Sequence, residues 1–504
     1  MASVILDRES AGKVIGQAPP AKYSFWTSIT SKARLTRCFV PQTDARGPPG
    51  YMQECPPVRV REGGMRAVGK VFARLAAGPL HDHPIFKRVL TTQVSVSLGQ
   101  QVTSLALPTI GIIFLNAGPM EIGILAALPW VSSPLLGPIA GAVVDRFPRR
   151  PIMVAADTGR FLCLLAIASG LLIGELTLYQ LYVIAFLFGS LGLFFDIAYQ
   201  AYLPANFTHG QLLQANSRVE LARSPALVGG AALAGLVISG VGPARALFGA
   251  AFSYLFSGIN LAAIKVVEHA PAPHKRSLLG DLGSGLVMVA RDPILRSIAT
   301  ATAVSNLGVF IFSAVSLVFA YRSLHLSAGL IGFIVAAGNL GFLIGAAAAP
   351  WGVRRLGLGR TLALSQLFLA FSLFFAPLAL FGMPVVMLSG SLLLQNLHTN
   401  VYVINQITLR QSITPREIMG RMNATMRALI VGSVPIGSIL GGYLGTTLGL
   451  PQTMVLGAAI ALLAPLFLLA GPVIRLRATP HRPAEAVPVT AAPAAAASPA
   501  TVSA

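Results

Sequence analysis

Residues 141–150 read GAVVDRFPRR: a glycine and an aspartate four apart, then three arginines, directly after twenty residues whose single charge is Glu121. So abrupt a change marks the end of an apolar segment. Over the whole chain, 54% of 504 residues are hydrophobic and 11% are charged, whereas soluble globular chains carry about 25% charged residues. Composition therefore places the protein in a bilayer. Thirty-seven Lys and Arg against seventeen acids leave a formal net charge of +20, which raises nucleic acid as a partner. The distribution argues against it. Fourteen of the basic residues lie in the first 88 positions, and most of the others sit between apolar runs, where a topology signal belongs.

From about Val89 to Val473, twelve apolar stretches follow one another, each close to the roughly 20 residues that cross a bilayer as a helix. The expected spans are 89–115, 121–144, 151–173, 177–203, 219–240, 244–267, 297–320, 327–350, 361–382, 384–408, 424–447 and 452–474. Loop charge tests this count, because Lys and Arg accumulate on the cytoplasmic side. The even-numbered connections and the C-terminal end carry Arg146, Arg149, Arg150, Arg218, Lys265, Lys275, Arg276, Arg291, Arg354, Arg355, Arg360, Arg410, Arg416, Arg421, Arg475 and Arg477, and the odd ones only Arg245 and Arg322. That parity predicts both termini in the cytoplasm; a soluble helical core would show none.

Outside the spans the chain changes character. Residues 1–85 are basic, punctuated by Pro and Gly, and without sustained periodicity, so an extension without regular structure is expected. No apolar core follows the early charges as in a signal peptide, and a start at Met65, opening the basic amphipathic MRAVGKVFARLAAG, fits equally well. Residues 268–296 read as a cytoplasmic linker with an amphipathic helix between bundles at 86–267 and 297–474, and residues 475–504 as a low-complexity Ala/Pro tail. Cys38, Cys55 and Cys163 have no metal-ligand spacing, and His81-x-His83 is too short a pair to predict a metal; no cofactor is expected.

The spans repeat. A shift of 207 lays Asn216 on Asn423, Gly230 on Gly437 and Gly235 on Gly442; a shift of 204 lays Gly141 on Gly345 and Arg150 on Arg354, with Asp145 replaced by Ala349. Two duplicated six-span halves with a Gly-xxx-Asp-Arg-x-x-Arg-Arg loop between spans two and three resemble the major facilitator superfamily. FKRVLTTQVSVSLGQ, RPIMVAADTGR, QANSRVELARS and GDLGSGLVMVARDPILRS are similar to its drug and siderophore efflux branch, which includes the enterobactin exporter and macrolide efflux proteins. The resemblance covers about residues 86–474 and implies an all-α membrane protein with twelve transmembrane helices in two pseudo-symmetric bundles, working by alternating access.

Arginines at 146, 149 and 150 fix topology, Gly141 permits close helix approach, and Pro148 turns the chain. Asp145 has no part in that. In the family it resembles, this aspartate meets the N-terminus of span eleven and latches the cytoplasmic side, where the helix dipole favours a carboxylate. Ionisable groups at membrane depth are the further candidates. Asp157 and Arg160, three apart, read as a pair or a proton site; Asp196 in span four is a second carboxylate; Glu220 pairs with Arg223 or meets Arg427, its sign-exchanged counterpart in the repeat. His398 is a proton carrier or a packed imidazole. Gln100, Gln101, Asn306, Asn339, Gln395 and Asn400 either line one midplane cavity or bond neighbouring helices.

Two departures from the family pattern bear on coupling: Gln100 stands where relatives often have an acid, and the Gly-Pro of the antiporter motif appears as Gly230-Ala231. The resulting expectation is a monomeric exporter in a bacterial inner membrane, carrying a hydrophobic or amphiphilic small molecule of drug or siderophore class against protons. The second half has no carboxylate within its spans, which tilts the cargo toward neutral or anionic. A facilitator or importer of a nutrient or lysolipid shares these features, and so does a non-transporting sensor or scaffold. No nucleophile–base set or nucleotide loop suggests an enzyme.

Overall fold

The computed structural model describes residues 37–40, 51–54, 84–207, 209–264, 286–414 and 419–478. In the unit Met1–Leu75, β1 (Arg37–Val40) pairs antiparallel with β2 (Tyr51–Glu54), Cys38 opposite Gln53. This short ladder stands within the stretch expected to lack regular structure; four residues per strand are too few to register as a periodicity. His81, His83, residues 265–285 and residues 479–504 lie outside the described residues.

The second unit, from Ala76 onward, is helical: α1 (Pro84–Thr109, extended by a π-turn over Ile110–Phe114), α2 (Pro119–Val144), α3 (Arg149–Ile173), α4 (Leu178–Asn206), α5 (His209–Val241), α6 (Pro243–Ala262), α7 (Pro293–Arg322), α8 (Ala328–Leu356), α9 (Leu358–Leu378), α10 (Pro384–Ile413), α11 (Met419–Thr447), α12 (Leu450–Leu462) and α13 (Ala464–Ala470). Each expected span appears as one of these, the last divided between α12 and α13. Ten spans among the described residues are long and apolar enough to cross a membrane; the helices not among them are α6, with Arg245 and Asn260, and α10, with its QNLHTN run. Each packs within its own half, α6 on α1 and α3, and α10 on α8 and α9.

Local chemistry sets the helix starts. Proline opens α2, α6, α7 and α10, where its missing N–H leaves no bond unmade. Thr177 and Gln180 form a capping box on α4, and the Asp292 carboxylate accepts from the amides of Ile294 and Leu295 at 2.8 and 3.0 Å to start α7. Gly242 (φ +85°) and Gly357 (φ +83°) make turns so tight that one helix follows another with almost no loop. The start of α5 departs from expectation: the polar run read as a loop to residue 218 is helix from His209, because a helix that leaves the membrane needs no apolar residues. In the linker, residues 286–291 are helical, and Val289 packs against Met422 and Met426 of α11.

The duplication is visible in the packing. Within the first half α1 meets α5 and α6, α2 meets α4, and α3 meets α4 and α6; within the second α7 meets α11 and α12, α8 meets α10, and α9 meets α10 and α12. The halves join through two equivalent crossings, α2 on α11 and α5 on α8. Both are glycine contacts at the end away from the paired-arginine loops. A Cβ on Gly123 would lie 2.5 Å from the Ser438 carbonyl oxygen and 2.9 Å from Gly442 Cα; one on Gly332 would lie 2.6 Å from Gly235 Cα. Backbones this close require small residues.

Candidate functional site

The two ends of the helix bundle differ. At the glycine-crossed end, the Tyr321 and Thr109 hydroxyls lie 2.8 Å apart, Arg322 donates to the Ala117 carbonyl at 2.8 Å, and Ser239 Oγ accepts from Gly329 N–H at 2.6 Å. The large hydrophobic cluster continues from the first half into Val318, Ile331 and Ile334 of the second. At the arginine-rich end each cluster belongs to one half: Phe86, Leu203, Phe207, Ala215 and Val219 in the first, Ile298, Leu358, Leu362 and Leu409 in the second. Among the described residues the helical unit is thus joined across the halves at one end and parted at the other.

Gly141 and Asp145 lie on the parted side. A Cβ at Gly141 would meet nothing within 4 Å, and Asp145, which ends α2, is exposed, its carboxylate without a partner among the described residues. Arg146 is exposed, whereas Arg150 is used: Nε donates to the Leu261 carbonyl at 2.8 Å and Nη2 to that of Ala262, closing the end of α6. The Arg149 Nε is buried. Within this one loop Arg150 is fixed to its own half, while Asp145 stands exposed.

Asp157 and Arg160 form a fully buried pair, 0% and 4% exposed, on one face of α3. Ser257 of α6 donates to the second carboxylate oxygen. The guanidinium lies between two rings, 4.5 Å from the Phe195 centroid and 4.8 Å from that of Tyr254. Every surface of this ion pair is covered, so it ties α3, α4 and α6 into one body. The i, i+3 spacing was legible; the rings and Ser257 come from other helices and left no signal in α3.

Asp196 of α4 is different. It is exposed, and it interacts electrostatically with Arg160 and Arg223 of its own half and with Arg427 of α11 in the other. Glu220 pairs with Arg223 at 3.8 Å, both exposed, and Arg223 Nε donates to Ser97 Oγ at 3.2 Å. Arg427 of α11 is exposed, and its charge reaches Asp196 across the halves. Ser97, Gln100, Gln101 and Ser104 share one face of α1, and Gln100 and Ser104 are exposed on it. Deeper, Gln101 and Ser104 line a cavity of about 160 Å3 with Ala231, Leu317, Ile331 and Gly332, at the junction of the halves.

Of the remaining amide candidates, Asn339 and Asn400 bond neighbouring helices, while Gln395 bonds within α10. Asn339 donates to the Leu227 carbonyl across the halves at 2.8 Å and accepts from Asn396 at 3.3 Å; Asn400 donates to the Phe342 carbonyl; Gln395 is buried and donates to Ser391 Oγ at 2.9 Å. Asn306 is half-buried on α7. His398 is 4% exposed inside the second half, stacked on Tyr402 at 5.8 Å and hydrogen-bonded to the Ser365 backbone. Arg410, expected in a connection, lies buried in the last turn of α10.

Two packed six-helix halves with one parted end are the architecture of a rocking carrier, and the sequence profile of the Major Facilitator Superfamily matches residues 89–424. The chain belongs to the major facilitator superfamily. It is a multi-pass membrane transporter rather than an enzyme. Among curated relatives, it is 26% identical over 376 residues to the enterobactin exporter EntS of Escherichia coli O1:K1, covering 73% of this chain and 86% of that one. It is also 26% identical over 227 residues to the uncharacterized MFS-type transporter YfiS of Bacillus subtilis, covering 42% of this chain and 52% of that one. Among solved structures, it is similar to a bacterial homologue of the iron transporter ferroportin in its inward-facing state, with a TM-score of 0.61 at 19% identity over 77% of this chain and 98% of that one. A bacterial homolog of the human lysosomal transporter Spinster gives 0.59 at 13%, covering 79% and 98%. At such identities these structures speak for the fold.

Proposed function

We propose that this transporter exports a hydrophobic or amphiphilic small molecule, of drug or siderophore class, across a bacterial inner membrane in exchange for protons. The observation that carries the reading is Asp196: an exposed carboxylate on the parted side of one half, attended by Arg427 of the other. If the arginine-rich end is cytoplasmic, as loop charge requires, this is the state that loads cargo from the cytoplasm. When the halves rock, Arg427 moves relative to Asp196, and a proton is the compensating charge available from the far side. The same motion brings Asp145 to the start of α11, where the helix dipole stabilises a carboxylate. A relative that exports a siderophore supports outward direction, and the lack of Asp and Glu from the spans of the second half, which carry Arg427, supports a neutral or anionic cargo. The coupling ion is a proton and the working unit a monomer in this reading.

Lipophilic antibiotics, catecholate siderophores and lysolipids added to energised inside-out vesicles test it. The cargo is expected to release protons, Asp145→Asn to slow release roughly tenfold and Asp196→Asn to abolish it while cargo still binds. Cargo that equilibrates regardless of the gradient, with no proton release, would replace this reading by an uncoupled facilitator.

A further inference from the structure

At the arginine-rich end of the second half, a pocket of about 580 Å3 opens between the α8–α9 turn and the segment that follows α13. Arg354, Arg355, Arg360, Arg475 and Arg477 line it, with no acidic residue. Its two walls are held together through backbone: Leu358 N–H donates to the Arg477 carbonyl at 3.2 Å and Gly359 N–H to that of Leu476 at 2.8 Å. The approach leaves no slack, because a Cβ on Gly359 would sit 1.9 Å from the Val473 carbonyl oxygen.

The repeat shows what is unusual here. Arg150, the counterpart of Arg354, spends its donors on the last carbonyls of α6. None of the five arginines of the second half has a hydrogen-bond or ion-pair partner among the described residues. Setting topology requires arginines near span ends, and it does not require them gathered around one cavity. Like charges held together this way repel, and an anion between them offsets that repulsion. The pocket also has apolar walls, Val353, Leu356, Ile474 and Leu476, and Trp351, one turn before Arg354 and Arg355 on α8, is exposed. A Trp beside arginines at a span end is the pattern of headgroup depth.

We propose that this pocket binds the phosphate headgroup of an anionic membrane lipid, whose acyl chains cover Trp351 and Leu356. Guanidinium forks match phosphate oxygens, and basic pockets at the cytoplasmic ends of membrane helices suit such headgroups. Such a lipid bridges the start of α9 and the chain after α13.

The test uses the full chain in phosphatidylcholine nanodiscs doped with spin-labelled phosphatidylglycerol, read as the fraction of label immobilised. Wild type is expected to retain the anionic lipid in preference to labelled phosphatidylcholine, and R354Q/R355Q/R475Q to weaken that preference at least roughly tenfold. R291Q/R296Q, which removes charge elsewhere, is expected to leave it unchanged. Arg477→Gln alone carries the test if the triple variant does not fold. No preference in wild type, or equal retention by the pocket variants, would overturn the proposal. Displacement by millimolar inorganic phosphate in place of lipid would assign the site to a soluble anion and overturn the lipid source.

Discussion

Gly332→Leu is expected to lower transport roughly a hundredfold while leaving each half folded. The added Cβ would fall 2.6 Å from Gly235 Cα and 2.7 Å from the Ala231 carbonyl oxygen, atoms of a helix backbone that cannot turn aside. The sealed end then cannot close. A shift of the closed state from dominant to about 1% corresponds to roughly 5.5 kcal/mol, less than a backbone clash of this depth imposes. The variant is expected to rest with the glycine-crossed end open. In a background lacking Cys38, Cys55 and Cys163, a cysteine at Ser104 should react with a membrane-impermeant maleimide from the outside in Gly332→Leu and be protected in wild type. Gly123→Leu, at the symmetry-related crossing, should behave alike. Wild-type transport in either variant would show that the crossings are incidental.

Arg160→Met is expected to destabilise the first half by about 3–5 kcal/mol, because it strands the Asp157 carboxylate in a site 0% exposed. Its two ring contacts are lost as well. Asp157→Asn combined with Arg160→Met should recover most of that loss, since removing both partners leaves no buried charge. Thermal unfolding of the detergent-purified protein checks both. If Asp157 instead carried the transported proton, the double variant would be stable yet uncoupled, and Asp157→Asn alone would lose proton release with its stability intact.

Much of the fold was legible because the bilayer imposes a length and a sidedness that composition must obey. The spans, their parity and the repeat all followed from apolar runs and arginines. The helix ends at 206 and 209 did not, since helical dihedrals are indifferent to polarity beyond the membrane. Glycines 235 and 442 stood out as equivalents, but their partners Gly332 and Gly123 did not, because a repeat aligns positions and is silent on what each touches. The amides show the same limit. Depth placed Asn339, Gln395 and Asn400 near the midplane, yet Asn339 and Asn400 bond neighbouring helices and Gln395 bonds Ser391 one turn back on its own, and which face a residue takes depends on neighbours. That Arg427 lies within electrostatic reach of Asp196 depends likewise on packing between the halves.

Alternating access between these two ends is read by paired distances. Spin labels on Ala142 and Asn423 would report the arginine-rich end, and labels on Gly240 and Leu330 the glycine-crossed end, all four sites being exposed. With cargo and a proton gradient supplied in proteoliposomes, the first distance is expected to shorten as the second lengthens, in one concerted shift. Distances that stay fixed, or that lengthen and shorten together, would contradict the account.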